Sequence, residues 1–138
     1  MATLTGSCLC GAVSFETRAE PPFIGHCHCR DCQKVGGAGH SSYAFFPAEA
    51  VQVEGDTRGF DVNADSGATM TRYFCPQCGS RLFGRSSRLP DFFGIMLTAF
   101  DEPDAFTPTI SLFTASRRRW DTVAPDTRAF EEDVPRRG

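Results

Sequence analysis

Seven cysteines fall in three short clusters: Cys8-Leu9-Cys10, Cys27-His28-Cys29-Arg30-Asp31-Cys32 and Cys75-Pro76-Gln77-Cys78-Gly79. An odd number cannot pair fully as disulfides. The opening residues, Met1-Ala2-Thr3-Leu4-Thr5-Gly6, carry neither the basic start nor the apolar stretch of a secretory signal, and no later apolar run is long enough for a bilayer. The expected location is therefore the cytoplasm, without a membrane partner. Thiols stay reduced there, so clustered cysteines read as metal ligands rather than as a disulfide framework.

The spacings point to zinc. Cys75 and Cys78 stand three apart around a tight turn, and Gly79 can take backbone angles that aim amides at sulfur, which is the form of a zinc knuckle. Cys8 and Cys10 are two apart. In an extended strand both would project to one face, with Leu9 on the other. Cys27, Cys29 and Cys32 put three thiolates within six positions. Seven thiolates shared by two tetrahedral ions give one complete set and one set of three. The expected structural ligands are Cys8, Cys10, Cys75 and Cys78. The expected open, catalytic set is Cys27, Cys29 and Cys32. His26 and His28 flank Cys27, and strand alternation turns them away from its face. His40 lies beyond a glycine-rich stretch, and its sequence neighbours do not recommend it as a ligand.

A chain of 138 residues fits one domain, here residues 1–138, and thirteen phenylalanines supply its core. Thirteen glycines and nine prolines interrupt the chain too often for long helices. Val13 and Phe15 alternate with Ser14 and Glu16 over residues 11–17, which is strand periodicity. Similar short signals recur at 42–46, 50–54, 69–74, 81–84, 92–98 and 110–113. One short helical turn starts near Cys29 and stops at Gly36-Gly37, with Asp31 as a candidate cap. The remainder after Asp101 reads as loop and a tail draped over the domain. The expected fold is all-β, built of short antiparallel strands with at most one short helix.

The formal charge of −3 becomes −6 once seven thiolates and two zinc ions are counted, so nucleic acid is an unfavourable partner. The basic run Arg117-Arg118-Arg119 has Asp121, Asp126 and Glu131-Glu132-Asp133 to balance it. Arg30, Lys34 and that run are candidates to meet a carboxylate, although a solvated charge is the simpler reading of each. Phe74 and Trp120 read as core aromatics.

Four segments, taken in order, resemble the glutathione-dependent formaldehyde-activating enzymes, a family that includes a centromere protein V branch. They are Gly6-Ser7-Cys8-Leu9-Cys10-Gly11; His26-Cys27-His28-Cys29-Arg30-Asp31-Cys32-Gln33-Lys34; Phe74-Cys75-Pro76-Gln77-Cys78-Gly79; and Ser116-Arg117-Arg118-Arg119-Trp120. Two places depart from it. Pro108-Thr109-Ile110-Ser111 stands where many relatives carry Pro-x-x-His, and glycine stands where serine or threonine often precedes the shared glycine after Cys32. The resemblance implies a β-tent fold, a structural zinc on the first and third segments and a second zinc on the middle one. It also implies carbon-sulfur lyase chemistry on the adduct of glutathione with formaldehyde. A three-thiolate zinc agrees with that chemistry, because it acidifies water weakly yet suits an incoming thiol. The partners expected are a glutathione-like thiol and an aldehyde. A zinc-stabilised binding module without turnover is the alternative.

Overall fold

A computed structural model describes residues 2–64 and 66–134. Its elements run β1 (Leu4–Ser7), β2 (Ser14–Thr17), β3 (Phe23–Cys27), α1 (Arg30–Gly36), β4 (Ser41–Pro47), β5 (Val51–Glu54) and β6 (Arg58–Asn63). They continue with β7 (Thr69–Phe74), β8 (Arg81–Ser86), β9 (Phe92–Met96), β10 (Ile110–Leu112) and β11 (Arg128–Ala129). The fold is all-β, as the turn-rich sequence requires. One sheet has the order β1-β2-β5, and the other β11-β10-β3-β4-β9-β8-β7-β6.

Most neighbours are antiparallel, but β10 runs parallel to both β3 and β11. That parallel edge ties the tail down: Phe130 donates its amide to Ser111 at 2.9 Å, and Phe113 donates to Glu132 at 3.0 Å. Among the described residues the tail is thus hydrogen-bonded to the β10 segment of the large sheet. The strand expected over 110–113 stops at Leu112, since Phe113 has a φ of 55°. The strand expected over 92–98 stops at Met96, where a single 3-10 turn begins. Cys8 and Cys10 correct another expectation, because they lie in a turn after β1 and not in a strand. Cys8 donates its amide to Val13 at 3.0 Å and accepts from Gly11 at 3.2 Å, with Gly11 at a φ of 81°. The strand expected over 11–17 accordingly begins only at Ser14.

The two sheets meet through aromatic rings. Phe15 of β2 sits edge-on to Phe83 of β8 at 5.3 Å and to Phe100 at 5.1 Å. Phe46 of β4 meets Phe100 and Phe106, whose own rings are 4.6 Å apart. Gly6 is where β1 crosses this core. A Cβ there would stand 2.3 Å from the Phe15 ring and 2.4 Å from the Ala99 carbonyl oxygen, so the close approach excludes any side chain. The core lies between the sheets and holds their cysteine-bearing ends in place.

Phe46 has no exposure, whereas Phe60 of β6 is 63% exposed. Phe46→Ala is expected to lower unfolding free energy by about 3–5 kcal/mol in denaturant titration of the metal-replete protein. Phe60→Ala should change it by no more than about 0.5 kcal/mol.

Candidate metal centre and adjoining pocket

The turn after β1 and the turn between β7 and β8 bring four thiols together. Cys8 Sγ is 3.6 Å from Cys10 Sγ, and Cys10 Sγ is 3.8 Å from Cys75 Sγ; with Cys78 the four ligand atoms lie within 4.8 Å of one another. An S–S bond is about 2.05 Å, so these are separate thiols. Four sulfurs on zinc at about 2.3 Å stand about 3.8 Å apart along each tetrahedral edge. The observed spacings fit that edge, so the donor set is suited to zinc.

The backbone is arranged for thiolates. Val13 donates its amide to Cys8 Sγ at 3.3 Å, while Gln77 and Cys78 aim theirs at Cys75 Sγ at 3.4 and 3.5 Å. Gly79, at a φ of 79°, closes the knuckle by donating to the Cys75 carbonyl at 2.8 Å. Leu9 donates to Ser80 Oγ at 3.0 Å, joining the two turns independently of sulfur. Hydrogen bonding from Ser80 brings the Cys78 thiol down to about 5. The Ala12 amide favours the Cys10 thiolate, but desolvation and the neighbouring sulfurs outweigh it and push Cys10 up to about 12. Four thiolates cannot crowd together without a cation between them.

Cys27 ends β3, Cys29 is the N-cap of α1 and Cys32 sits in its first turn. Their ligand atoms lie within 4.8 Å of one another, and among the described residues this group has three members. Cys29 caps the helix by accepting the Cys32 amide at 3.3 Å, so the cap is a thiol and not Asp31. Gly37, at a φ of 69°, ends the helix with its amide on the Gln33 carbonyl. Hydrogen bonds with Cys29 and Cys32 push Cys27 up, whereas those from Cys27 and Cys29 pull Cys32 down.

Two arginines that sequence reasoning passed over assist Cys32. Arg81 donates to Ser41 Oγ at 2.9 Å, and Ser41 donates in turn to the Cys32 carbonyl at 3.1 Å. Arg72 is 7% exposed, and the charges of Arg81 and Arg72 add to the hydrogen bonds that favour the Cys32 thiolate. Nε and Nη1 of Arg72 and Nε of Arg81 are buried without a hydrogen-bond acceptor among the described residues. Their positive charge suits a group of anionic sulfurs. Only the fold could reveal this, since β7 and β8 lie far from Cys32 in sequence.

A cavity of about 240 Å³ adjoins α1, with Arg30, Gln33, Lys34, Arg118 and Trp120 among its lining residues. Trp120 is 67% exposed, which corrects its reading as a core aromatic. Gln33 ties the region together, donating to the His28 carbonyl at 2.7 Å and the Ser116 carbonyl at 3.0 Å. The helix that carries Cys32 therefore also presents the cationic wall of the pocket.

His26 and His28 both meet His40, with ring centroids 5.0 and 4.9 Å apart, and neither joins the Cys27 group among the described residues. His40 Nδ1 stands 2.8 Å from Asp121 Oδ2. The cluster of His28, His40 and Asp121 was not legible because 81 residues separate His40 from Asp121. Burial opposes ionisation of Asp121, but the hydrogen bond to His40 and the nearby imidazoles hold its carboxyl below the usual range.

Known proteins resemble this chain in fold and in sequence. A solved Rhodobacter sphaeroides protein superposes with a TM-score of 0.59 at 20% identity, over 75% of this chain and 96% of that one, a likeness of fold. A Halomonas elongata protein named "Putative glutathione-dependent formaldehyde-activating enzyme" is 32% identical over 103 residues, 71% of this chain and 66% of the relative. A Penicillium rubens protein of the same name is 36% identical over 69 residues, 50% of this chain and 36% of the relative. The chain thus spans about two thirds of the first curated relative and about a third of the second. The family described as glutathione-dependent formaldehyde-activating enzyme matches residues 3–116, which takes in all seven cysteines, Arg72 and Arg81. The chain belongs to the glutathione-dependent formaldehyde-activating enzyme family.

Proposed function

We propose that the protein is a zinc-dependent carbon-sulfur lyase that forms or breaks the adduct of a glutathione-type thiol with an aldehyde, S-hydroxymethylglutathione being the type case. The observation that carries this reading is a group of three thiols, Cys27, Cys29 and Cys32, gathered where β3 ends and α1 begins, with a cationic pocket lined by the same helix. Zinc held by these three sulfurs supplies a Lewis acid that lowers the pKa of a thiol. Cys8, Cys10, Cys75 and Cys78 hold a structural zinc in the same proposal. Cytoplasmic placement belongs to it as well, since seven unpaired thiols suit a reducing compartment. No helix among the described residues is long and apolar enough to cross a membrane.

The chain's own residues have distinct parts in this scheme. Cys27, Cys29 and Cys32 act as ligands and not as nucleophiles. Arg81 and Arg72 offset the negative charge that three thiolates concentrate beside the reacting thiol. Glutathione carries two carboxylates, for which Arg30, Lys34 and Arg118 provide charge-assisted donors, and Trp120 offers an apolar wall to the peptide. In the forward direction the thiol sulfur bonds to the aldehyde carbon, the carbonyl π pair moves to oxygen, and the proton released by the thiol ends on that oxygen. The reverse sequence returns thiol and aldehyde.

The test is exchange of isotopically labelled formaldehyde with S-hydroxymethylglutathione, followed by NMR above the spontaneous rate. Wild-type protein should accelerate exchange, and Cys29→Ser should return it to background. Arg118→Ala should raise KM by about tenfold with kcat retained, as expected for one charge-assisted contact to substrate. The protein has one tryptophan, so glutathione should also perturb Trp120 fluorescence directly. Fluorescence change without any acceleration would favour the binding module.

The two cysteine groups should also differ in metal retention. A mild chelator is expected to empty the three-cysteine group first with the fold intact, read by native mass spectrometry beside circular dichroism. Cys75→Ser should instead give unfolded or insoluble protein, because binding energy at that group is folding energy.

A further inference from the structure

We propose that His28, His40 and Asp121 form a separate site for a divalent first-row transition-metal ion, distinct from both cysteine groups. Asp121 Oδ2 lies 2.8 Å from His40 Nδ1 and 3.3 Å from His28 Nδ1, and the three ligand atoms all lie within 4.8 Å of one another. Ligands bound at about 2.0–2.2 Å stand about 2.9 Å apart at right angles and about 3.4 Å apart at tetrahedral angles. The two contacts span that range. Two imidazoles and one carboxylate make a borderline set that suits Zn²⁺, Co²⁺, Ni²⁺ or Fe²⁺ and leaves positions open.

A second observation points the same way. His28 is 1% exposed, and its Nδ1, 3.3 Å from Asp121 Oδ2, is a buried polar atom without a hydrogen-bond partner among the described residues. Buried polar atoms are rarely left so, and a cation placed between His28, His40 and Asp121 would satisfy it.

The surroundings are built around this point. A Cβ on Gly39 would stand 2.5 Å from Asp121 Oδ2, so the backbone preceding His40 touches the carboxylate in a way only glycine permits. Arg117 donates to the Asp121 carbonyl at 2.6 Å, and the Asp121 amide donates to Arg118 at 3.0 Å. His26 is tied to Ser42 Oγ at 2.7 Å and packs edge-on against His40. The partly exposed side chains of His40 and Asp121 leave a way in from solvent.

Cobalt(II) added to protein loaded with two equivalents of zinc, enough for the two cysteine groups alone, tests the site without reference to activity. The expected result is one further equivalent bound, with d–d absorption but no sulfur-to-cobalt charge transfer. The chain has three histidines, so NMR of the wild-type imidazoles should show His28 and His40 resonances paramagnetically shifted beyond detection in their usual positions. His40→Ala and Asp121→Asn should each abolish the extra equivalent, while Cys29→Ser should keep it. Absence of a further equivalent in wild type, unshifted histidine resonances, or charge transfer marking entry into the cysteine groups would each overturn the proposal. The wild-type spectra decide the matter even if a variant fails to fold.

Discussion

Repulsion between crowded thiolates, and its relief, is the constraint on which the rest of the molecule depends. Cys10 and Cys75 are 65 positions apart, yet their sulfurs approach to 3.8 Å. Closing so long a loop costs entropy that rises only slowly with length, so distance along the chain is no obstacle once a favourable contact exists. Charge is the obstacle, because each ionised sulfur raises the cost of ionising the next. Backbone amides on Cys8 and Cys75 and the Ser80 hydroxyl beside Cys78 lessen that cost. A divalent cation would remove it, which makes assembly of the two turns and binding of metal a single process. The phenylalanine core then sets the geometry, since Phe15 and Gly6 fix β1 and β2 against the large sheet and so position the turn that carries Cys8 and Cys10.

The second cysteine group meets the same repulsion differently. Its sulfurs come from neighbouring residues at the end of β3 and the start of α1, so little loop entropy is at stake. Buried charge does more there: Arg72 and Arg81 reach it from the adjacent strands β7 and β8, and Arg81 is relayed through Ser41 to the Cys32 backbone. A buried guanidinium without a full set of acceptors is costly unless negative charge stands near. The arginines and thiolates therefore stabilise one another across the sheet, whereas the four-cysteine group is served mainly by amides and a hydroxyl. In the proposal of two zinc ions, that contrast would give the groups different tolerance for losing metal.

How much of this was legible follows from the range over which each feature is encoded. The knuckle at Cys75 to Gly79 was readable because its turn, spacing and glycine are local, and Gly79 does take the left-handed conformation. The all-β class followed from period-two alternation at Phe15 and from frequent glycine and proline. β6 escaped because all but one of its residues are exposed, so it has no buried face to impose alternation. Cys8 and Cys10 misled for a related reason: two apart reads as a strand, but Gly11 turns the chain back so that the Cys8 amide meets Val13. Trp120 misled because aromatic character argues for a core, while its place on the pocket rim depends on packing that spacing cannot express. Parallel pairing of β10 with β3, and the meeting of His40 with Asp121, are non-local and leave no periodic trace.

Helix α1 explains why a binding pocket and a metal group can be mechanically one unit. It has only seven residues, too few to be stable alone, so its position must come from its contacts. Cys29 caps its start, Ser41 holds the Cys32 carbonyl, and Gln33 reaches across to the carbonyls of His28 and Ser116. The last of these bonds fastens the helix to the segment that supplies Arg118, Trp120 and Asp121. A shift of that segment would therefore move the pocket wall, and through Gln33 the helix that carries Cys32. The other bond of Gln33, to the His28 carbonyl, connects the histidine–aspartate cluster to the helix. Three chemically different groups of side chains are thus braced against one short helix, and rigidity there is a condition for any of them to hold a ligand in a defined geometry.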